Sequence, residues 1–320
     1  MRFQPALLAI LLSASAAFAA DAALLNLLMP EARMVAGIDV ERARDSFVGR
    51  KIMEQIDAKG ADDLSKFAAM TGFDPRRDLR EIVIATPDAN TKNPPALIVV
   101  RGTFDMGRIN GFLKTTGLAP VESLNGVDVY TKVDGKEEMG FAFLDGSTAV
   151  AGNKNVVRAA VQRRSARGAA MTAETLAKVR SMSQANDIWM VTSIPVAELS
   201  NAIPGGAAAG PAPGMMSGDA FKGIEQAAMG IRFGAATMDL TAETVSRTEK
   251  DATSMADIVR FLATMVQMNR DKPEVKGLAT ALDAMKLTTD AKTTRLTISL
   301  PVAEMEKMMQ GATKGPAKKI

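Results

Sequence analysis

Two pairs of adjacent acids are the first residues in this sequence whose types could support acid–base chemistry. Asp62 and Asp63 form one pair, and Glu137 and Glu138 form the other. Two carboxylates act together in catalysis only when they converge across one cleft and titrate at different pKa values. Neighbouring positions in a sequence do not establish such convergence. We expect the first pair at a helix N-terminus, the second pair in a turn, and both pairs in water.

Histidine and cysteine are absent from all 320 residues, which limits the available chemistry. Without imidazole, Ser-His-Asp triads, histidine general bases and almost all zinc or copper sites built on histidine are excluded. Without thiols, disulfides, thiolate nucleophiles and a lipid-modified cysteine are excluded. The sequence also lacks nucleophile-elbow, Walker, dinucleotide-binding and calcium-loop motifs. We therefore predict no enzymatic activity, no catalytic residue, no cofactor and no metal.

Methionine is unusually frequent, with 21 copies that outnumber all aromatic residues together. Met265 and Met268 share one face of a predicted helix, and Met305, Met308 and Met309 share one face of another. Thioethers are soft ligands for Cu(I), but they are also flexible fillers of protein cores, which is the better interpretation here. An adaptable apolar groove for a partner or a lipid-like ligand is the intermediate interpretation.

Three arginines and two aromatic residues are weaker candidates. Arg163, Arg164 and Arg167 end a predicted helix. They could bind an anion, but a favourable interaction with the helix dipole explains them better. Trp189 and Tyr130 could form a ligand platform, although both fall in predicted strands, where core packing is the better explanation.

The clearest structural element is the segment Pro120–Gly152, which predicts an antiparallel meander. Short runs rich in β-branched and aromatic residues alternate with three turn dipeptides: Asn125-Gly126, Asp134-Gly135 and Asp145-Gly146. Such dipeptides supply the positive φ angles of tight hairpins. We therefore predict a positive φ at Gly146. Farther along, Asp251–Asn269 has the strongest helical pattern, and its wide apolar stripe predicts a helix buried on much of its surface.

The order of predicted elements repeats along the chain. Arg33–Val40 and Ile188–Val196 are matching strands about 155 residues apart. Each is followed by further strands and helices, which indicates an α+β fold of two similar halves, residues 21–168 and 169–320. We expect each half to hold an antiparallel or mixed sheet with helices, as in a duplicated split βαβ unit. The Gly/Ala/Pro-rich segment Pro204–Asp219 predicts a flexible loop, and 311–320 predicts a disordered tail.

The first 20 residues have the pattern of a signal peptide. An apolar core follows Arg2, and Ala17-Phe18-Ala19 fits a cleavage site, so we expect cleavage near Ala19 or Ala20. The alternative is an uncleaved N-terminal anchor. No later apolar run is long enough to span a membrane. The mature chain would carry a net charge of only +2 with both signs interspersed, which argues against binding to nucleic acid.

Several sequence blocks resemble a group of uncharacterised exported proteins of soil-type bacteria. The blocks include LMPEARMVAGIDVERARDS, TGFDPRRDLREIVIA, FLDGSTAVAGNKNVVRAAVQRR and DIWMVTSIPVAEL. They cover nearly the whole mature chain. The resemblance implies an N-terminal signal and an α+β body, and it implies no activity and no site residue.

These observations predict a periplasmic or secreted protein that works by binding. The first hypothesis is a non-enzymatic binding or scaffold protein of the cell envelope, with another envelope protein as its partner. The alternative is a periplasmic binder of a small apolar or lipid-like ligand in a cleft between the halves. A hydrolase that uses carboxylates alone is the third possibility. A deep apolar cavity would favour the second hypothesis, and one exposed apolar patch on a smooth surface would favour the first.

Overall fold

The computed structural model describes residues 22–88, 94–134, 137–165, 171–195, 198 and 219–306. Several predicted features lie outside these residues: the signal peptide 1–20 with its cleavage site at Ala19 or Ala20, nearly all of Pro204–Asp219, the tail 311–320, Gly135, Arg167, Met308 and Met309.

Twelve strands form one continuous sheet, and every neighbouring pair is antiparallel. The strands are β1 (Met34–Asp39), β2 (Leu79–Thr86), β3 (Leu97–Gly102), β4 (Glu122–Leu124), β5 (Val127–Asp134), β6 (Glu137–Phe143), β7 (Thr148–Asn153), β8 (Ile188–Thr192), β9 (Ile224–Phe233), β10 (Thr237–Ser246), β11 (Met285–Asp290) and β12 (Thr293–Pro301). Their spatial order is β11-β12-β10-β9-β8-β1-β2-β3-β7-β6-β5-β4.

The two predicted halves meet at the pairing of β1 with β8, where Ile38 lies opposite Ile188. Outward from this pair the order is β2-β3-β7-β6-β5-β4 on one side and β9-β10-β12-β11 on the other. The α+β class predicted from the sequence is confirmed, with the halves joined in a single sheet. The helical connection from β1 to β2 joins antiparallel neighbours, so the sheet is not mixed. The likeness to a split βαβ unit is therefore confined to the order of elements.

Helices connect the strands and pack on both faces of the sheet. They are α1 (Ala22–Leu25), α2 (Val40–Arg44), α3 (Phe47–Thr71), α4 (Pro75–Asp78), α5 (Met106–Thr115), α6 (Lys154–Arg163), α7 (Ala173–Ala185), α8 (Glu249–Met268) and α9 (Pro273–Asp283), with a 3₁₀ turn at Asp219–Gly223. None of the helices in the described part of the chain is both long and apolar enough to cross a membrane.

The helix boundaries follow from capping residues. Asp74 caps α4 by accepting a hydrogen bond from the Arg76 amide, and Asp105 caps α5 by accepting one from the Arg108 amide. Gly72 ends α3 with φ of 77°. The prediction that Asp62 or Asp63 caps a separate helix is wrong. Both lie inside α3, which continues across a break at Gly60.

One face of the sheet carries the main core, and we call it the covered face. Helices α1, α6 and α7 pack there against alternate residues of the central strands, including Val35, Val83, Val99 and Val191. The leucines of the N-terminal segment, from Leu24 to Leu28, are at most 4% exposed. The protein therefore buries its segment 24–29 as part of the core.

Among the residues that the structure describes, helices cover the opposite face, which we call the open face, toward its two ends. At one end α5 packs on the sheet through Ile109 and Leu113, against Val100 and Phe143. At the other end α9 packs through Ala281 against Ile298 and its neighbours. The strands between these ends carry the candidate site.

The meander is confirmed as strands β4 to β7. Its first turn has positive φ at both Asn125 (51°) and Gly126 (78°), as a tight hairpin requires. The prediction of a positive φ at Gly146 is wrong, because Gly146 does not lie in the left-handed region. Asp145 forms that turn instead, since its carboxylate accepts hydrogen bonds from the amide and hydroxyl of Ser147.

Candidate apolar groove

The acids singled out in the sequence do not converge. Asp63 forms an exposed ion pair with Lys66 on α3, with 3.8 Å between nitrogen and oxygen. Glu138 lies on β6, and its 2.8 Å ion pair with Lys154 lowers the pKa of its carboxyl. The two acidic pairs therefore lie in separate elements, one in α3 and the other in β6.

The two arginines that the structure describes at the end of α6 form hydrogen bonds and an ion pair with distant parts of the chain. Arg163 donates to the carbonyl of Leu27 through Nε at 3.2 Å and through Nη2 at 3.0 Å. Burial lowers the pKa of its guanidinium. Arg164 forms a 3.1 Å ion pair with Asp145. Because both guanidinium groups already bind protein oxygens, these contacts support a structural role for Arg163 and Arg164 over an anion-binding one.

The aromatic candidates are core residues, as predicted, since Trp189 is 3% and Tyr130 is 7% exposed. The methionine pair singled out on α8 is not in the core, although Met255 of the same helix is buried. Met265 and Met268 are 39% and 81% exposed, so the prediction that the helix is buried on much of its surface is wrong. In the described part of the chain, no cluster of three or more His, Cys, Asp or Glu residues could hold a metal ion.

The feature that stands out is a double row of apolar side chains across the middle of the open face. The first row is Ile231, Ile188, Ile38 and Ile82, one from each of β9, β8, β1 and β2. The second row is Met229, Met190, Ala36 and Ile84, from the same strands. We call the surface formed by these eight residues the apolar groove.

Both rows continue without a polar interruption beneath the flanking helices. The first row extends to Val100, Ala149 and Phe143 on one side, and to Leu240, Ile298 and Met285 on the other. The second row extends to Tyr130 through Ile98, Ala151 and Phe141, and to Leu287 through Ala242 and Leu296. Among the described residues of the two rows and their extensions, the exposed side chains are Ile38, Ile84 and Met229, and all three belong to the apolar groove.

Exposure of the apolar groove is substantial for residues of this type. Ile38, Ile84 and Met229 are 37%, 39% and 45% exposed, and the other five side chains are half-buried. The groove encloses about 280 Å³, and all its lining residues are apolar or glycine. Contiguous apolar surface of this kind marks sites where proteins bind partners, membranes or apolar ligands.

An ion-pair network fixes the strands at one end of the apolar groove. Arg42 Nε lies 2.8 Å from a carboxylate oxygen of Asp39 and 3.0 Å from one of Asp187. Asp187 is buried, and its second oxygen accepts a 2.7 Å hydrogen bond from the Phe233 amide. The network joins β1, the start of β8 and the end of β9. It therefore holds both halves in one register.

The sequence contains a signal for the apolar groove. In β1, β2 and β8 both alternating sets of residues are apolar, which is typical of strands buried on both faces. The described helices cover one face of these strands, and the second apolar set remains in contact with water.

Comparisons with known proteins give no assignment. No protein-family model matches the chain, and no curated protein matches it. Three solved structures of TP0453 are similar to this chain at a low level. Crystal form I has a TM-score of 0.44 at 8% identity, covering 90% of this chain and 96% of that one. Forms III and IV both have a TM-score of 0.48, at 6% and 7% identity, each covering 89% of this chain and 96% and 95% of theirs. Likeness at this level says nothing about function.

Proposed function

We propose that this is an exported, non-enzymatic protein that binds the acyl chain of a lipid-like molecule in the apolar groove. The observation that carries the proposal is the exposed double row of apolar side chains across the β1–β8 junction. We interpret the halves on either side of this junction as products of an internal duplication, because on both sides the first three strands, counted outward from the junction strand itself, follow chain order and the next strand is the last of its half.

The chemistry of the groove favours a hydrocarbon chain as its ligand. The eight side chains that form the apolar groove are Ile, Met and Ala, which offer no strong hydrogen bond, so a peptide or sugar would lose water contacts without replacement. A hydrocarbon chain has no such contacts to lose. The four strands place the outer residues of each row about 14 Å apart, which gives the groove the elongated form that a chain requires.

Affinity should therefore depend on chain length and little on the headgroup. Each buried methylene contributes about 0.8 kcal/mol, so two added carbons should strengthen binding roughly fifteen-fold until the groove is filled. Titration of the mature protein with octanoate, decanoate and dodecanoate tests this by calorimetry. Dodecanol should bind about as tightly as dodecanoate, since the polar end stays in water.

A matched pair of substitutions separates the groove from general surface effects. Ile84→Glu places a charge on the floor of the apolar groove, whereas Val121→Glu places one on the meander at a residue that is 51% exposed. We expect the first to weaken dodecanoate binding at least tenfold and the second to leave it unchanged. Equal affinities for both variants would contradict the proposal.

Export is supported by the Ala17-Phe18-Ala19 site after an apolar core. N-terminal sequencing of the secreted protein should begin at Ala20 or Asp21. Recovery of a chain that retains Met1 in the membrane fraction would contradict cleavage.

A second candidate function, binding of another envelope protein, is favoured by the exposed stripe on α8. Phe261, Met265 and Met268 are 53%, 39% and 81% exposed and recur at helical spacing. Methionine-rich surfaces adapt to varied partners. A photo-crosslinker at position 265 should then capture one defined envelope protein, and the same crosslinker at exposed Arg260 should not. Capture from both positions would contradict this function.

A further inference from the structure

Beyond the proposed function, and independent of it, the open face holds a second apolar cavity between α3, α5 and the meander. Six phenylalanines line it: Phe67, Phe73, Phe104, Phe112, Phe141 and Phe143. Ile109 and Leu113 of α5 complete its wall. We propose that this Phe pocket is a binding site for a compact apolar molecule that contains a ring.

The volume of the Phe pocket supports a ligand. It encloses about 240 Å³, which corresponds to the share of about eight water molecules in the liquid. Apolar cavities of about 150 Å³ stay dry and bind benzene, so an apolar recess of this size can hold a ring.

The polarity of the residues that line the Phe pocket determines which kind of molecule can bind there. Thr71 is the one polar residue among those that line the Phe pocket. Its hydroxyl already donates to the Phe67 carbonyl at 2.8 Å and accepts from the Phe73 amide at 3.2 Å. Ordered water needs two to four polar partners, which this lining does not supply. The pocket therefore selects an apolar molecule.

The arrangement of rings favours a cyclic ligand. Phe73 and Phe104 are stacked with centroids 5.1 Å apart, and Phe104 meets Phe143 edge to face at 5.3 Å. The wall thus presents both ring faces and ring edges. A further ring can join this cluster in the offset or edge-to-face geometry that aromatic quadrupoles favour.

The roof of the Phe pocket allows entry. From Phe47 to Met70, none of the α3 side chains that the structure describes is buried. Phe67 is 37% exposed and meets Phe112 edge to face at 6.2 Å, so it stands at the rim of the pocket. Helices with so few buried contacts open at low free-energy cost.

Toluene is a suitable probe, because its binding can be located by NMR. We expect saturable binding to the mature protein, with nuclear Overhauser effects from the toluene ring to the methyl groups of Ile109 and Leu113. Effects only to Ile38 and Ile82 would place toluene in the apolar groove and overturn the proposal. Absence of binding near toluene saturation would also overturn it. 1-Pentanol should bind at least fivefold more weakly, and equal affinity would contradict the preference for a ring.

Filling the cavity gives a second test. Leu113→Trp should weaken toluene binding at least tenfold, while Leu278→Trp, at a residue of α9 that is 42% exposed, should leave it unchanged. Ile109→Phe is the alternative if the first variant fails to fold, and circular dichroism checks each fold. Wild-type affinity in a folded Leu113→Trp or Ile109→Phe protein would overturn the assignment to this pocket.

Discussion

The indole of Trp189 lies against the backbone of Gly37, directly across the pairing of β1 with β8. A β-carbon built on Gly37 would lie 2.4 Å from Cζ2 of Trp189, which is closer than any real contact. Trp189 is 3% exposed on the covered face, beneath the apolar groove. The absence of a side chain at Gly37 therefore lets the largest residue of the core support the groove floor.

Gly37→Ala should destabilise the protein for this reason. Forcing a methyl group into a packed site costs about 1–3 kcal/mol, and we expect a loss of about 2 kcal/mol in urea unfolding. Gly111→Ala is the control, because a β-carbon there meets no atom within 4 Å and the residue lies inside α5. It should stabilise by about 0.5–1 kcal/mol. A neutral Gly37→Ala would show that the indole moves away at no cost.

Two glycines of the meander turns, Gly126 and Gly146, should respond differently to alanine. Gly126 has φ of 78°, so Gly126→Ala should cost about 1–2 kcal/mol through left-handed strain, although no atom lies within 4 Å of the new carbon. Gly146 lies outside the left-handed region, so Gly146→Ala should stay within about 0.5 kcal/mol of wild type. Thermal unfolding of both variants checks this, and a larger cost at Gly146 would be inconsistent with the turn.

The buried carboxylate of Glu243 should contribute more to the free energy of unfolding than an exposed carboxylate does. It is 7% exposed and lies 2.7 Å from Lys178 Nζ and 3.0 Å from an Arg295 nitrogen. Glu243→Gln should lower the free energy of unfolding by about 2 kcal/mol, since hydrogen bonds to charged groups are the strong ones. Glu54→Gln, which breaks a pair with both side chains about half exposed, should change it by less than about 0.5 kcal/mol. Similar losses in both variants would argue against this difference in burial.

Acid should remove stability that Asp74 and Asp78 supply. A hydrogen bond from Arg76 lowers the pKa of Asp74, and one from Arg77 lowers the pKa of Asp78, both below the ordinary value of 3.8. A lowered pKa in the folded state stabilises at pH values above the ordinary pKa, and the contribution is lost as pH falls through the folded value. The difference in melting temperature between wild type and Asp78→Asn should be constant from about pH 7 to 5 and shrink below about pH 4.

Asp63→Asn is the control for that measurement, because the Asp63 carboxylate is 91% exposed. Its melting temperature should follow the wild type at every pH. A difference between wild type and Asp78→Asn that persists unchanged at pH 2 would mean that Asp78 acts through shape and not through charge.

Local chemistry made much of the fold predictable. Asp105 and Asp74 cap helices through their own side chains, and Asn125-Gly126 closes a hairpin between sequence neighbours. Each of these features needs only adjacent residues. The prediction of a positive φ at Gly146 was wrong because Asp145 forms the turn through its carboxylate. That turn does not require a positive φ in the next residue.

Long-range packing could not be read in the same way. The wide stripe of α8 fits several helix orientations, and its pattern does not show that Phe261 remains in water while Val266 is buried. The pairing of Ile38 with Ile188 joins residues 150 positions apart, and no local preference selects it. The apolar groove depends on two long-range features: which strands become neighbours, and which face of the sheet the helices leave open. Neither feature follows from local sequence.

The most direct test of the central claim is to locate a bound acyl chain. A fatty acid with a nitroxide on its chain broadens nearby methyl signals in an NMR spectrum of isoleucine-labelled protein. We predict the strongest broadening for the five isoleucines of the apolar groove, Ile38, Ile82, Ile84, Ile188 and Ile231, and weaker broadening for isoleucines outside it. Broadening confined to Ile52 and Ile56 of α3, or spread evenly over all isoleucines, would contradict binding in the apolar groove.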